Sequence, residues 1–140
     1  MRFPVEDLKI TEIRHKQSAF GLDLELALAP FQLNLEDDTP VETRVSLDGI
    51  TLPSSDPGAL AGQGWDVPVN PAEGYVDGSV YIEHAHHPVD LHHIAVGNRT
   101  GDHVPVTLSM RMVFSFEGLG NYEDADWQVT IDLPVAAITG

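Results

Sequence analysis

The chain contains no cysteine. That excludes a disulfide framework, a thiolate nucleophile and any sulfur-ligated metal centre. Lysine is almost as scarce, with Lys9 and Lys16 alone. Seven Lys and Arg residues face 22 Asp and Glu, a formal net charge of −15. Such a surface excludes generic binding to nucleic acid or anionic membranes, both of which need a positive footprint. No apolar run approaches the roughly twenty residues of a membrane helix. The first residues, Met1-Arg2-Phe3-Pro4-Val5-Glu6-Asp7, lack the apolar stretch of a secretory signal. The expectation is a soluble cytoplasmic protein.

Other absences narrow the chemistry. There is no phosphate-cradling glycine loop and no glycine-framed serine elbow. Aromatic residues are too sparse to suggest a stacking platform for sugars or single strands, so Trp65 and Trp127 are expected to anchor a loop and the core. No long amphipathic helix or internal repeat is visible. Four of the seven basic residues (Arg2, Lys9, Arg14, Lys16) lie in the first sixteen positions, leaving 19 acids against three arginines beyond them. The plain reading of this imbalance is solubility, and the functional reading is a basic partner or cations.

What is present is alternation. Val104, Val106, Leu108, Met110, Met112, Phe114 and Phe116 share one parity, opposite Pro105, Thr107, Ser109, Arg111 and Ser115. A period of two over that length is a strand with one face in a core. So long a strand is expected to bend near Val113 and to serve two sheets. Phe20, Leu22, Leu24, Leu26 and Leu28 repeat the pattern, as do Phe31, Leu33 and Leu35 up to an acidic turn at 36–40 containing Asp37 and Asp38. Asp23 and Glu25 fall on the outward face of their strand, where carboxylates are ordinarily solvated. Val41, Thr43, Val45 and Leu47 precede Asp48-Gly49, a hairpin signal before Ile50 and Leu52. Leu8, Ile10 and Ile13 open a first strand. Trp127, Val129, Ile131 and Leu133 close the last.

Residues 53–74 break the rhythm with four prolines and four glycines. A connection of that length is functional or an interface arm. Within it Asp56-Pro57 suits the cap and first position of a short helical turn reaching Leu60. The expected fold is therefore all-β: an antiparallel two-sheet sandwich or flattened barrel, jelly-roll or immunoglobulin-like, with about eight or nine strands, little helix and one domain over 1–140. Long strands leave edges, which points to a homo-oligomer.

Five of the seven histidines fall within 84–93: His84, His86, His87, His92 and His93. His84 and His86 share parity with Val80 and Ile82. A regular strand would turn both imidazoles inward, roughly 7 Å apart. Asp90 past the turn, with His92, could complete a site for zinc, nickel, manganese or iron. The spacing Gly78-x5-His84-x-His86-x3-Asp90-x6-Gly97 resembles the first motif of the cupin family, which implies a metal-dependent β-barrel. Asp90 stands where that family has glutamate, and no histidine or Pro-x-Gly follows His103. The alternative for these histidines is a solvated polar hairpin or a pH-responsive interface. Asn121, Glu123, Asp124 and Asp126 offer oxygen ligands of the kind calcium takes, without the EF-hand order.

Three functions remain in contention. The leading one is a non-catalytic binding or assembly module acting on a protein partner through a sheet face, an edge or the 53–74 loop. The second is a metal-dependent enzyme using His84, His86, Asp90 and His92. The third is a carrier holding a small ligand between the sheets.

Overall fold

The computed structural model describes residues 1–35 and 39–140, so Asp37 and Asp38 of the expected acidic turn lie outside the described residues. After a 3-10 turn at Val5–Asp7 come β1 (Ile10–Ser18), β2 (Gly21–Leu28), β3 (Arg44–Ile50), α1 (Pro57–Leu60) and β4 (Gly64–Asp66). Then follow β5 (Asp77–Ile82), β6 (Ala85–Val96), β7 (His103–Met112), β8 (Ala125–Pro134) and α2 (Val135–Thr139). The fold is all-β: eight antiparallel strands in one curled sheet, ordered β1-β2-β3-β5-β6-β7-β8, with β4 also pairing β6.

The curl has a local cause. The first residues of β6 pair with β5, from Ile82↔Ala85 to Ser79↔Pro88. The remainder pairs with β7, from Val89↔Met112 to Val96↔Val106. Between these stretches β6 bends across the inner side of β5, where a Cβ on Gly78 would sit 2.1 Å from the Val89 carbonyl oxygen. Only a residue without a side chain fits there. β6, rather than the long strand from Val104, is thus the strand shared between the two halves. The 104–116 stretch is a strand only to Met112. Asp124 Oδ1 then accepts the backbone N–H groups of Phe114 and Ser115 at 2.8 and 2.9 Å, which peels the chain off the ladder. Phe114 stays buried, while Phe116 is 77 % exposed.

Alternation decides what the sheet encloses. Leu22, Leu24, Leu26 and Leu28 of β2 face inward with Val45 and Leu47 of β3 and Val80 and Ile82 of β5. Leu108, Met110, Met112, Trp127, Ile131 and Leu133 do so from β7 and β8. Phe3 closes one end against Phe31, Phe114 and Tyr122. Phe31 and Leu33 are buried without forming a strand, and Phe31 makes an isolated bridge with Val41 ahead of β3. The 53–74 segment holds α1, capped as expected by Asp56 accepting from Gly58 N at 3.0 Å. It also holds β4, whose half-buried Trp65 lies opposite Ile94.

Asp48-Gly49 is a bulge within β3, not a hairpin. Leu24 pairs Leu47 and Leu22 pairs Ile50, so one residue of β2, Asp23, faces two of β3. Gly49 takes φ +83° there. The same dipeptide that closes a hairpin suits a bulge, because both need positive φ.

Candidate functional site

The histidine segment is a two-residue hairpin. Glu83 and His84 occupy its tip with φ 55° and 65°, the conformation of a type I′ turn. β5 has already ended at Ile82, so His84 does not continue its inward parity and is exposed. His86 faces outward and stacks on Tyr81, ring centroids 4.8 Å apart. Asp90 is half-buried beside Arg111 in register. Burial pushes its carboxyl up, while His92 and Arg111 pull it down. His92 is the exposed extra residue of a second bulge, between Leu91 and His93. The turn reverses the parity that would have brought His84, His86 and Asp90 together. Among the described residues, no three His, Asp or Glu side chains are grouped to hold a metal ion.

The histidine that does point inward is His87, fully buried. Its Nε2 donates to the Ile82 carbonyl at 3.0 Å and its ring meets Phe114 edge-on at 5.4 Å. Nδ1 has no partner. His93 Nδ1 bonds Asp66 at 2.8 Å and fastens β4 to β6.

The acids near the C-terminus are also engaged. Asp124 caps the 114–115 turn and receives the Ser115 hydroxyl at 3.2 Å, and Asp126 pairs with Arg111 at 2.9 Å. The cavity between Leu22, Leu24, Leu60, Ile94, Val106 and Leu108 is about 10 Å³, at the limit for a single water.

The open space lies outside. Four grooves of about 340 to 660 Å³ are cut into the outer face of β1, β2, β3 and β5, sharing Arg14, Asp23, Glu25, Arg44 and Asp48 along their borders. Strand alternation puts these polar side chains outward as directly as it puts the leucines inward. The largest groove, about 660 Å³, is lined by Phe20, Asp23, Asp48, Tyr75 and Asp77, with Ser18, Gly49, Thr51 and Gly74.

Its floor is set by register. Asp48 of β3 lies directly opposite Asp77 of β5, and the β3 bulge brings Asp23 to the same spot. Asp23 Oδ1 accepts the Gly49 N–H at 2.9 Å and the Ser18 hydroxyl at 3.3 Å. Burial raises the Asp48 carboxyl above its usual value, the nearby charges of Asp23 and Asp77 raise it further, and Lys16 lowers it in part. Among the described residues, no Lys or Arg lines this groove. Lys16, the cross-strand neighbour of Asp23, is at its border. Phe20, at the tip of the β1–β2 hairpin, is 83 % exposed, and Tyr75 from the end of the long connection is 41 % exposed.

Sequence reasoning passed over this cleft. Asp23 was legible as an outward carboxylate. Its convergence with Asp48 and Asp77 depends on a bulge that reads as a hairpin, and Tyr75 arrives from an irregular segment. Among the described residues, no helix is long and apolar enough to cross a membrane. No family model, curated protein or solved structure matches the chain.

Proposed function

We propose that the protein is a non-catalytic binding module that takes a positively charged side chain of a partner protein in the Phe20–Asp23–Asp48–Tyr75–Asp77 cleft. The observation that carries this reading is the pairing of exposed aromatics with three converging carboxylates in a groove whose lining, among the described residues, holds no Lys or Arg. A guanidinium is weakly hydrated and planar. It can stack on Phe20 or Tyr75 while Asp48 and Asp77 accept its N–H groups. Charge at −15 speeds the approach of such a partner and repels acidic competitors. Arginine is favoured over lysine because the site offers both stacking faces and paired acceptors.

The test is fluorescence anisotropy with a labelled tetra-arginine amide, against an equally charged tetra-lysine. Phe20→Ala with Tyr75→Ala, which leaves net charge untouched, should weaken tetra-arginine binding about tenfold, an ordinary size for two stacking contacts. Neutralising Asp126 and Asp132 on β8 should change it much less. Equal losses from both sets would mean diffuse attraction and would refute the cleft.

A further inference from the structure

The sheet has two unpaired ends. Among the described residues, the backbone of β1 pairs only with β2 and that of β8 only with β7. Seven strands alternate in direction from β1 to β8, so these two edges run the same way. Closing the curl within one chain would require a parallel ladder, and none forms. Nine residues of β1 and ten of β8 are left without a second strand, with α2 packed on β1 where Gln17 Nε2 donates to the Ala137 carbonyl at 2.9 Å.

The edges carry opposite charge. On β1, Arg14 and Lys16 face outward, in register with Glu25 and Asp23; Glu12 of the same strand accepts from Arg14 Nε at 3.1 Å, and Lys9 precedes the strand. β8 has no basic residue; Asp126, which also pairs with Arg111 of β7 at 2.9 Å, and Asp132 face outward along it, after Glu123 and Asp124. On so acidic a molecule, the segment around β1 is the main basic surface that another copy's acidic side can approach. Charged edges normally keep sheets apart. Here that repulsion acts only between like edges, so β1 against β1 and β8 against β8 are disfavoured while β1 against β8 is not.

We infer that β1 of one copy adds to β8 of a second copy, extending the sheet from chain to chain. Backbone hydrogen bonds supply the contact, and Arg14 and Lys16 facing Asp126 and Asp132 select it. A contact between two different edges is heterologous, so it builds rings or open chains according to its rotation. None of the four residues lines the cleft, and Lys16 stands at its border.

Mass by light scattering over a concentration series at physiological salt tests the pairing. The wild type should grow with concentration. Arg14→Glu with Lys16→Glu should remain a monomer. Asp126→Lys with Asp132→Lys should as well, although it makes the chain four charges less negative and would therefore associate better if overall repulsion alone governed. Mixing the two variants should restore association, because each then meets its complement. Circular dichroism melting checks that both variants stay folded, and the mixing experiment detects a variant that lost association by misfolding. A wild type that stays monomeric throughout, or variants that associate as it does, or a mixture that stays monomeric, would overturn the pairing.

Discussion

The outer faces of the two halves of the sheet are built from the same period-two alternation and end up chemically different. Across β7 and β8 the polar residues answer one another. Thr107 and Thr130 share a hydrogen bond at 2.7 Å, Ser109 donates to Gln128 at 3.3 Å, and Arg111 reaches Asp126 at 2.9 Å. Between β3 and β5 the residues in register are Ser46 and Ser79, then Asp48 and Asp77, while Arg44 of β3 reaches Glu25 of β2 at 3.4 Å. One face is internally matched. The other pairs Arg44 with Glu25 but keeps Asp48 opposite Asp77, and like charges so placed weaken a sheet unless something else uses them. An unmatched face with grooves and exposed aromatics is the one with free energy left to gain from a ligand.

The comparison concerns outer faces only, and the interior should not distinguish the halves. Leu47→Ala in β3 and Leu108→Ala in β7, both buried, should each cost about 2–5 kcal/mol in urea denaturation. A large gap between them would show that one half is packed loosely and that the two faces differ for a reason other than pairing.

Asp124 and Asp48 sharpen the contrast through their signs. Asp124 suffers desolvation, but hydrogen bonds from Ser115 and Phe114 overcome it and hold the carboxyl below its usual range. Its stabilisation is present above about pH 3.9, the ordinary aspartate value, and is lost as pH falls through the lowered one. Asp124→Ala should destabilise by about 1–2 kcal/mol at neutral pH, less in acid. Asp48 is raised, chiefly by burial and then by its neighbours. Its contribution is present below the ordinary aspartate value and lost as pH rises through the raised one. Asp48→Asn should therefore melt slightly above the wild type at neutral pH, and the gain should vanish toward about pH 4. Substitutions of the same sign would mean that the grooved face is as well matched as the other.

The smallest effect expected is at the histidine hairpin. With His84 in the turn and His86 against Tyr81, added zinc or nickel should leave the melting temperature unchanged, in the wild type and in His84→Ala with His86→Ala. A metal-dependent rise abolished by that pair would restore the metal-site reading.

Much of the fold was legible where alternation is uninterrupted. Leu22 through Leu28 and Val104 through Met112 face the core as their parity requires. Legibility failed where one residue changes the count. The tip at Glu83 and His84 flips parity, the bulge at Asp48 and Gly49 imitates a turn, and the Asp124 cap ends β7 before Phe116. Each is a backbone event fixed by distant partners, and the candidate cleft depends on one of them.

Amide chemical-shift mapping with unlabelled tetra-arginine amide addresses the binding face most directly. The expected footprint is Phe20, Asp23, Asp48 to Gly49 and Tyr75 to Asp77, with the β7–β8 face unmoved. Shifts scattered over acidic residues on both faces, or centred on β8, would contradict it.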